Sequence, residues 1–329
     1  MWEEAPVTSP VRRSELICPG HSLKMMMNAA GSEADEVIFD LEDACAVSLK
    51  VAARQTVIEA LGTAGFTNGK VRGYRINGVE TPWCYRDLVD VLEAAGKYVD
   101  VVVVPKVRSA DDVRFVDRLM LQIEQATGLP PGRIRLEVLI ETAAALLRVE
   151  EIARASPRMA SLIFGVADFA GDLGARDFKQ DADRLFYYPR IQLLAAARAA
   201  GIDAIDSVTV QFKDLDQLAR DAKSAAQLGF DGKWAIHPGQ LPGIHAAFTP
   251  TAEELARAEK IVDAYAKADQ SGLGAIVIDD EMVDAATLKV EEKRLAVARR
   301  ARLQPTSSSS TSQISVEPPG MTGGKPRAP

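Results

Sequence analysis

The sequence predicts an α/β protein, a (β/α)8 TIM barrel with a C-terminal helical lid extension. Three observations carry that reading. Eight short runs rich in β-branched residues alternate with longer segments of helical period. Several of these runs are apolar almost throughout, as in VDVVVVPK and LIFGVAD, which suits a parallel sheet buried on both faces. Glycine closely follows most of the helical segments, at Gly62, Gly96, Gly128, Gly201 and Gly229, a common stop signal. An open doubly wound sheet is the competing architecture. It usually needs fewer strands, and neither GxGxxG nor GxxxxGK follows any strand here, which weakens its nucleotide-binding forms.

Taken in order, the expected strands are Glu15–Ile17, Glu36–Phe39, Val71–Ile76, Val99–Val104, Ile134–Ile140, Ser161–Phe164, Asp203–Asp206 and Lys233–Ile236. The expected helices are Ala46–Leu61, Thr81–Ala95, Ala110–Thr127, Ala143–Ala155, Asp183–Ala200 and Asp214–Leu228. The barrel occupies 12–250. Residues 251–303 form the helical lid or oligomer arm, interrupted by the Gly272–Gly274 turn and the run Ala275–Ile278. The last segment, 304–329, holds a serine run and no aromatic residue. It cannot bury enough apolar surface to offset its ordering entropy, so a disordered tail is expected. Residues 1 to about 11 read as similarly loose.

The composition narrows the function. The chain has 329 residues, 47% apolar and 26% charged, enough for one large core without disulfide or metal staples. Lys plus Arg is 39 against 46 for Asp plus Glu, a net charge of −7. Such a chain has no bulk attraction to nucleic acid or anionic membrane. No apolar run approaches the roughly 20 residues that span a bilayer. The three cysteines, Cys18, Cys45 and Cys84, have no CxxC spacing, which argues for a reducing compartment. The start, MWEEAPVTSP, lacks a basic region and an apolar region, so a cytoplasmic location is expected. With only three histidines, any metal should be held by carboxylates.

In a barrel, catalytic residues gather at the C-terminal ends of the strands. Five carboxylates, Asp40, Glu42, Asp43, Glu141 and Asp168, follow expected strands and should converge on one mouth. Like charges that close need something positive among them. Mg²⁺ meets that need, since it takes one or two direct carboxylates plus waters. Glu141 and Asp168 read as direct ligands, each a single acid ending a strand. Glu42 and Asp43 read as holders of metal-bound water. The plainer alternative is that these acids cap helices. Arg75 ends the third strand and supplies a fixed positive charge for a developing oxyanion, or simply pairs with an acid. Lys106 reads as a Schiff-base lysine or as a paired structural one, and the acid cluster favours the paired form. His237, after the last strand, reads as a satisfied turn residue or as a contributor to cofactor binding.

The motifs themselves resemble a known family. RSELICPG at Arg13–Gly20 is similar to the RSxLxxPG opening of the citrate lyase β-subunit-like proteins, the acyl-CoA branch of the HpcH/HpaI aldolase superfamily. DLEDA (Asp40–Ala44), RIN (Arg75–Asn77), PK (Pro105–Lys106), IET (Ile140–Thr142), FGVADFA (Phe164–Ala170) and GFDGKWAIHPGQ (Gly229–Gln240) follow in the same order. EVLIETA, SPRM and FGVADFA look closest to the malyl-CoA lyase subgroup. The short segment after Asp168 is more like citramalyl-CoA lyases and citrate lyase β-subunits.

The resemblance implies a Mg²⁺-dependent (or Mn²⁺-dependent) lyase that cleaves malyl-CoA, β-methylmalyl-CoA or citramalyl-CoA into acetyl-CoA or propionyl-CoA and glyoxylate or pyruvate. It implies Glu141 and Asp168 as metal ligands and Arg75 as the enolate-stabilising group. It also implies Asp284, in IDDEMVDAATLK, as an acid–base group given to a neighbouring subunit of a homotrimer or homohexamer. The pair before Met282 is Asp280–Glu281, where a Gly–Lys-like pair is usual. Coenzyme A needs local positive charge, for which Arg13, Lys24 and Lys50 are the candidates. Citryl-CoA cleavage, a coenzyme-A-independent hydroxy-oxo-acid aldolase and a non-catalytic acyl-CoA-binding assembly subunit are the alternatives.

Overall fold

The computed structural model describes residues 11–66, 69–179 and 181–300. The expected tail at 304–329 and most of the expected loose start lie outside them. The described residues divide into two compact units, Arg12–Phe248 and the C-terminal segment from Thr249.

The first unit alternates strand and helix throughout. It runs β1 (Ser14–Pro19), α1 (Leu23–Ala30), β2 (Glu36–Asp40), α2 (Lys50–Thr63), β3 (Val71–Arg75), α3 (Cys84–Ala95), β4 (Val101–Val104) and α4 (Ala110–Thr127). It continues with β5 (Arg135–Ile140), α5 (Ala143–Leu146), α6 (Val149–Ala153), β6 (Met159–Phe164), α7 (Val166–Leu173), α8 (Ala182–Leu185) and α9 (Tyr187–Ala200). It ends with β7 (Asp203–Asp206), α10 (Leu215–Leu228), β8 (Gly232–Ala235) and α11 (Leu241–Phe248). Neighbouring strands are parallel, and β1 pairs with β8, so the eight strands close into a barrel. The expected eightfold barrel is therefore present.

Local chemistry sets the helix limits. Asp112 accepts a hydrogen bond from the Ser109 N–H at 3.0 Å and fixes the start of α4. Asp214 accepts from Gln217 N–H at 2.9 Å and starts α10. Two expected helices are broken. Ala143–Ala155 splits into α5 and α6 at Arg148, whose φ of −120° and ψ of 18° leave the helical region. Asp183–Ala200 splits at Phe186. Three further helices, α1, α7 and α11, were not expected. Each is only eight residues long, and α7 continues the apolar run of β6, so that periodicity merges the two.

Strand residues alternate between two environments. Leu16, Val37, Phe39, Tyr74, Val102, Val138 and Phe164 belong to the large core shared with the helices. Ile17, Ile38, Val103, Leu139, Ile163, Ile205 and Trp234 form a separate cluster. They come from seven strands at the alternate positions, which places them inside the barrel. This apolar layer divides the interior into a mouth at the strand ends and a floor at the strand starts.

The floor is acidic. Glu15, Glu36 and Glu137 are fully buried, with carboxylate oxygens within 4.8 Å of one another. Arg12 Nε stands 3.1 Å from both Glu36 Oε2 and Glu137 Oε1, and its Nη1 stands 3.1 Å from Asp203 Oδ2. Trp234 Nε1–H donates to Glu15 Oε2 at 2.5 Å. Ser161 stands beside Glu137, and the positive field of Arg12 reaches Arg135. Burial pushes all three glutamic acids up; repulsion from Glu137 adds to it at Glu15 and Glu36, while at Glu137 itself Arg12 opposes it and Asp203 adds to it.

The second unit carries α12 (Ala252–Gln270), β9 (Ala275–Ile278), β10 (Glu281–Asp284) and α13 (Ala285–Arg300). The expected helical segment, interrupted at Gly272–Gly274 and Ala275–Ile278, is thus a helix–hairpin–helix. Its turn is Asp279–Asp280, both residues with positive φ (49° and 63°). That is the two-residue turn whose twist matches antiparallel strands, and aspartate tolerates it. The unit has its own small core of Ile261, Ala264, Ala268, Ile276, Ile278 and Val283. Among the described residues, no helix is long and apolar enough to cross a membrane.

The floor makes stability depend on pH. A carboxyl whose folded-state pKa is raised stabilises the fold below its unfolded value, near pH 4, and loses that contribution as pH rises through the folded value. Thermal unfolding of the wild type should therefore fall in Tm as pH rises from 5 to 9. Glu36→Gln, which cannot ionise, should flatten the fall by a few degrees, about 2–4 °C. Superimposable Tm profiles for the two proteins would contradict this assignment.

Candidate active site

The strand ends bring the expected acids to one place. A cavity of about 460 Å³ opens there, lined among others by Asp40, Asp43, Arg75, Glu141, Asp168 and Trp234. Its first organising feature is a pair between adjacent strands. Arg75 Nε and Nη2 each donate to Asp40 at 2.7 Å, both groups buried. Arg75 Nη1 also stands 3.0 Å from Glu42 Oε2, and its guanidinium lies 5.6 Å from the centre of the Trp234 ring. Burial works against the charge, but Asp40, Glu42 and Glu141 hold the guanidinium firmly protonated.

Asp40 does a second job, which the capping alternative anticipated in kind. Its two oxygens accept from the N–H groups of Glu42 and Ala44, both at 2.8 Å, and so shape the loop that presents Glu42 and Asp43. Gly20 makes this loop possible. Its N–H donates to Asp40 O at 2.8 Å, and a Cβ there would stand 2.6 Å from that oxygen.

Glu141 ends β5 and is buried. Oε1 accepts from Lys106 N–H at 2.6 Å. Gly165 leaves room for the rest of the carboxylate, since a Cβ there would meet Glu141 Cβ at 2.5 Å and Oε2 at 2.7 Å. Burial pushes the Glu141 carboxyl up to about 8; Arg75 opposes this, while Asp168 and Glu42 add to it. Glu42 is likewise pushed up to about 7 by burial, against the pull of Arg75 and Lys106. Asp43 is held low despite burial, chiefly by Lys106. Asp168 does not end a strand as expected. It lies in the first turn of α7, four residues beyond β6, and its side chain is 40% exposed. The donor set is thus all oxygen, buried on one side and open on the other, with one carboxylate destabilised as an anion. Those features suit a hard divalent cation.

Two of the candidate coenzyme contacts, Arg13 and Lys50, are placed differently from expectation. Arg13 lies at the start of β1, on the floor side, where its Nε and Nη2 donate to Asp35 at 2.9 and 2.8 Å. It is at the wrong end of the barrel for the cavity. Lys50 is buried, and its ammonium donates to Leu41 O, Glu42 O and Asn77 Oδ1 at 3.0, 2.7 and 2.6 Å. It holds the loop and has no capacity left for a phosphate. His237 caps a short turn, its Nδ1 accepting from Gly239 N–H at 3.0 Å, and stacks on Phe212. Lys24 is exposed on α1, one residue before Met25 of the cavity wall. Lys106 is paired, as the acid cluster implied. Asp284 lies in the second unit, at the start of α13. Its Oδ1 accepts from the N–H groups of Ala286 and Thr287, both at 3.0 Å. These bonds, the Thr287 N–H first, hold its carboxyl below the usual range.

Two contributors were not singled out from the sequence. Trp234 lies between Arg75 above and Glu15 below. Asn77 joins Lys50 to Asp87, donating from Nδ2 to Asp87 Oδ2 at 2.6 Å, and Asp87 in turn binds Arg54 at 2.7 Å. The signal for Trp234 was its parity with Ile17 and Ile38 along the barrel strands.

A closed parallel barrel with acids and a buried arginine at its strand ends is the architecture of a barrel enzyme. The particular family is clear from sequence: residues 13–238 match the HpcH/HpaI aldolase/citrate lyase family, and the chain belongs to it. It is 36% identical to an L-malyl-CoA/β-methylmalyl-CoA lyase of Cereibacter sphaeroides, over 91% of this chain and 98% of that one. It is 34% identical to a citrate lyase subunit β of Leuconostoc mesenteroides, over 83% of this chain and 89% of that one. Among solved structures, CitE of Mycobacterium tuberculosis in complex with magnesium, acetoacetate and coenzyme A matches with a TM-score of 0.72 and 30% identity. That match covers 89% of this chain and 98% of that one. These relatives are lyases, and this chain is a lyase of the same family.

The three bonds of the buried Lys50 ammonium have a measurable consequence. Lys50→Met leaves three buried acceptors without their donor, which should cost on the order of 3 kcal/mol in urea unfolding. Affinity for coenzyme A, read by calorimetry on the folded fraction, should change less than about twofold. A stable variant with a large loss of coenzyme affinity would restore the phosphate role.

Proposed function

We propose that the protein catalyses reversible Claisen-type carbon–carbon cleavage of a short 3-hydroxyacyl-CoA. The substrate is malyl-CoA or a β-methylmalyl or citramalyl relative. The products are acetyl-CoA or propionyl-CoA and glyoxylate or pyruvate. The observation that carries this reading is the pairing of Glu141 and Asp168 with buried Arg75 around one cavity. The substrates named for the malyl-CoA lyase relatives, and the magnesium and coenzyme A in the mycobacterial CitE complex, support it.

In this reading Glu141 and Asp168 hold Mg²⁺, or Mn²⁺. Bound there, the ion supplies Lewis-acid stabilisation of substrate oxygens. Glu42 and Asp43 flank the site as acceptors for ordered water. Arg75 faces the acyl-CoA half, where its fixed charge stabilises the enolate left when the carbon–carbon bond breaks. The Asp40 pair keeps that guanidinium still, so little reorganisation accompanies the charge shift. Asp284 is the acid–base group. Its low pKa favours the ionised form, which abstracts a proton from acetyl-CoA in the condensing direction and returns one to the enolate in cleavage. We assign it to the cavity of a neighbouring copy in a homotrimer or homohexamer, with the C-terminal unit as lid. Buried free thiols at Cys18, Cys45 and Cys84 suit a reducing cytoplasm.

An assay of acetyl-CoA release over a panel of hydroxyacyl-CoA esters tests this reading. Activity should vanish with EDTA and return with Mg²⁺. Glu141→Gln should lower kcat/KM by at least about 10³-fold, in line with loss of a principal charge-stabilising group. Turnover that persists in EDTA, or on the free acid without coenzyme A, would point to a metal-independent enzyme or a free-acid aldolase. Asp284→Asn should lower kcat about 10²–10⁴-fold with KM nearly unchanged. Full activity of a monomer in sedimentation would refute the shared site.

A further inference from the structure

The four acids not bonded to Arg75 through both oxygens meet at one other residue. Lys106 follows Pro105 after β4 and adopts φ of 54°, a left-handed conformation that few residues other than glycine, asparagine and aspartate enter. Strain of this kind persists where the surroundings demand it, and functional sites collect it. Here it lets one residue reach in two directions. The backbone N–H donates to Glu141 Oε1 at 2.6 Å. The ammonium lies 2.6 Å from Glu42 Oε1, 3.0 Å from Asp43 Oδ1 and 3.5 Å from Asp168 Oδ1. Glu141, Glu42, Asp43 and Asp168 are thus all held by Lys106.

We propose that Lys106 is a positioning residue whose ammonium is the resident counter-cation of the acid cluster and yields Asp168 when a divalent cation binds. The inference rests on Glu141 and Asp168 being metal ligands. Two cations drawn to the same carboxylate repel each other, so one must withdraw. Arg75 cannot, because it is buried and bonded to Asp40 through two nitrogens. Lys106 can. Its side chain is 38% exposed, its stem is flexible, and its head is a point charge without fixed geometry. Its backbone bond to Glu141 does not depend on where the ammonium goes. The lysine therefore keeps the acids gathered before the metal arrives and holds Glu141 in place afterwards. Competition for Asp168 makes metal binding weaker than the acids alone would give.

The test is a Mn²⁺ titration followed by electron paramagnetic resonance on the full-length wild type, K106M and K106R. K106M should bind Mn²⁺ about tenfold more tightly than wild type, as loss of a like charge nearby requires. K106R, which keeps the charge, should stay within about threefold of wild type. A second measurement uses the wild type only. Amine labelling read by mass spectrometry should show Lys106 modified faster when Mg²⁺ is added, because its carboxylate partners are partly withdrawn. This arm holds even if K106M fails to fold by circular dichroism. Equal or weaker Mn²⁺ affinity in K106M, or unchanged labelling, overturns the proposal and leaves the metal assignment standing. Absence of Mn²⁺ binding in every protein overturns both.

Discussion

The mouth of the barrel is built on the bidentate pair between Asp40 and Arg75. The two residues end adjacent strands and face each other in register. Their side chains point to the same side of the sheet. A buried ion pair of this kind is costly unless its remaining hydrogen-bonding capacity is filled. Here it is filled locally. Asp40 takes the N–H groups of Glu42 and Ala44, and Arg75 takes Glu42. The same bonds that satisfy the pair therefore aim the loop that carries two more acids. Removing either partner would strand the other charge and release the loop together, so this pair links the fold to the site.

The loop is also held from outside the barrel. Arg54, Asp87, Asn77 and Lys50 form a continuous polar chain that ends on the carbonyls of Leu41 and Glu42. Such networks rigidify when every member is satisfied. The consequence for the proposed function is positional. In the proposed reaction Arg75 presents its charge at a fixed point, and a guanidinium free to rotate would lose much of that benefit. On the inner side, the Trp234 ring closes against Arg75 while its N–H bonds Glu15, so the apolar layer itself helps to fix the arginine.

Much of this was legible in the sequence, and the parts that were not share physical causes. The barrel followed from eight apolar runs because a parallel sheet buried on both faces reads as near-continuous apolar runs, and an open doubly wound sheet usually needs fewer of them. Glu141 was legible because a lone acid ending VLI has few uses. Arg13 and Lys50 were misplaced for a different reason. A cation's role is set by which acceptors lie near it, and Asp35 and the Leu41 and Glu42 carbonyls are distant or invisible in composition. The floor cluster was missed altogether. Glu15, Glu36 and Glu137 sit at the starts of strands, where an acid reads as exposed. Only the parity they share with Ile17, Ile38 and Leu139 turns them inward. The hairpin Ala275–Asp284 escaped because its turn, Asp279–Asp280, lacks the usual glycine.

The two acid clusters differ in their chemistry. Each holds several carboxyls and one arginine inside the same barrel, separated by a single apolar layer. Their fates differ because their access to solvent differs. The floor is closed, so the least costly way to relieve like charge is to keep protons there, and its glutamic acids are raised accordingly. The mouth opens into a cavity, so mobile cations can reach it, and Asp43 stays ionised with a lysine beside it. A site that must bind and release a metal needs the second arrangement. The net charge of −7 is therefore a poor guide to what the chain attracts, since its most concentrated acids are either neutralised in the interior or engaged by cations at the mouth.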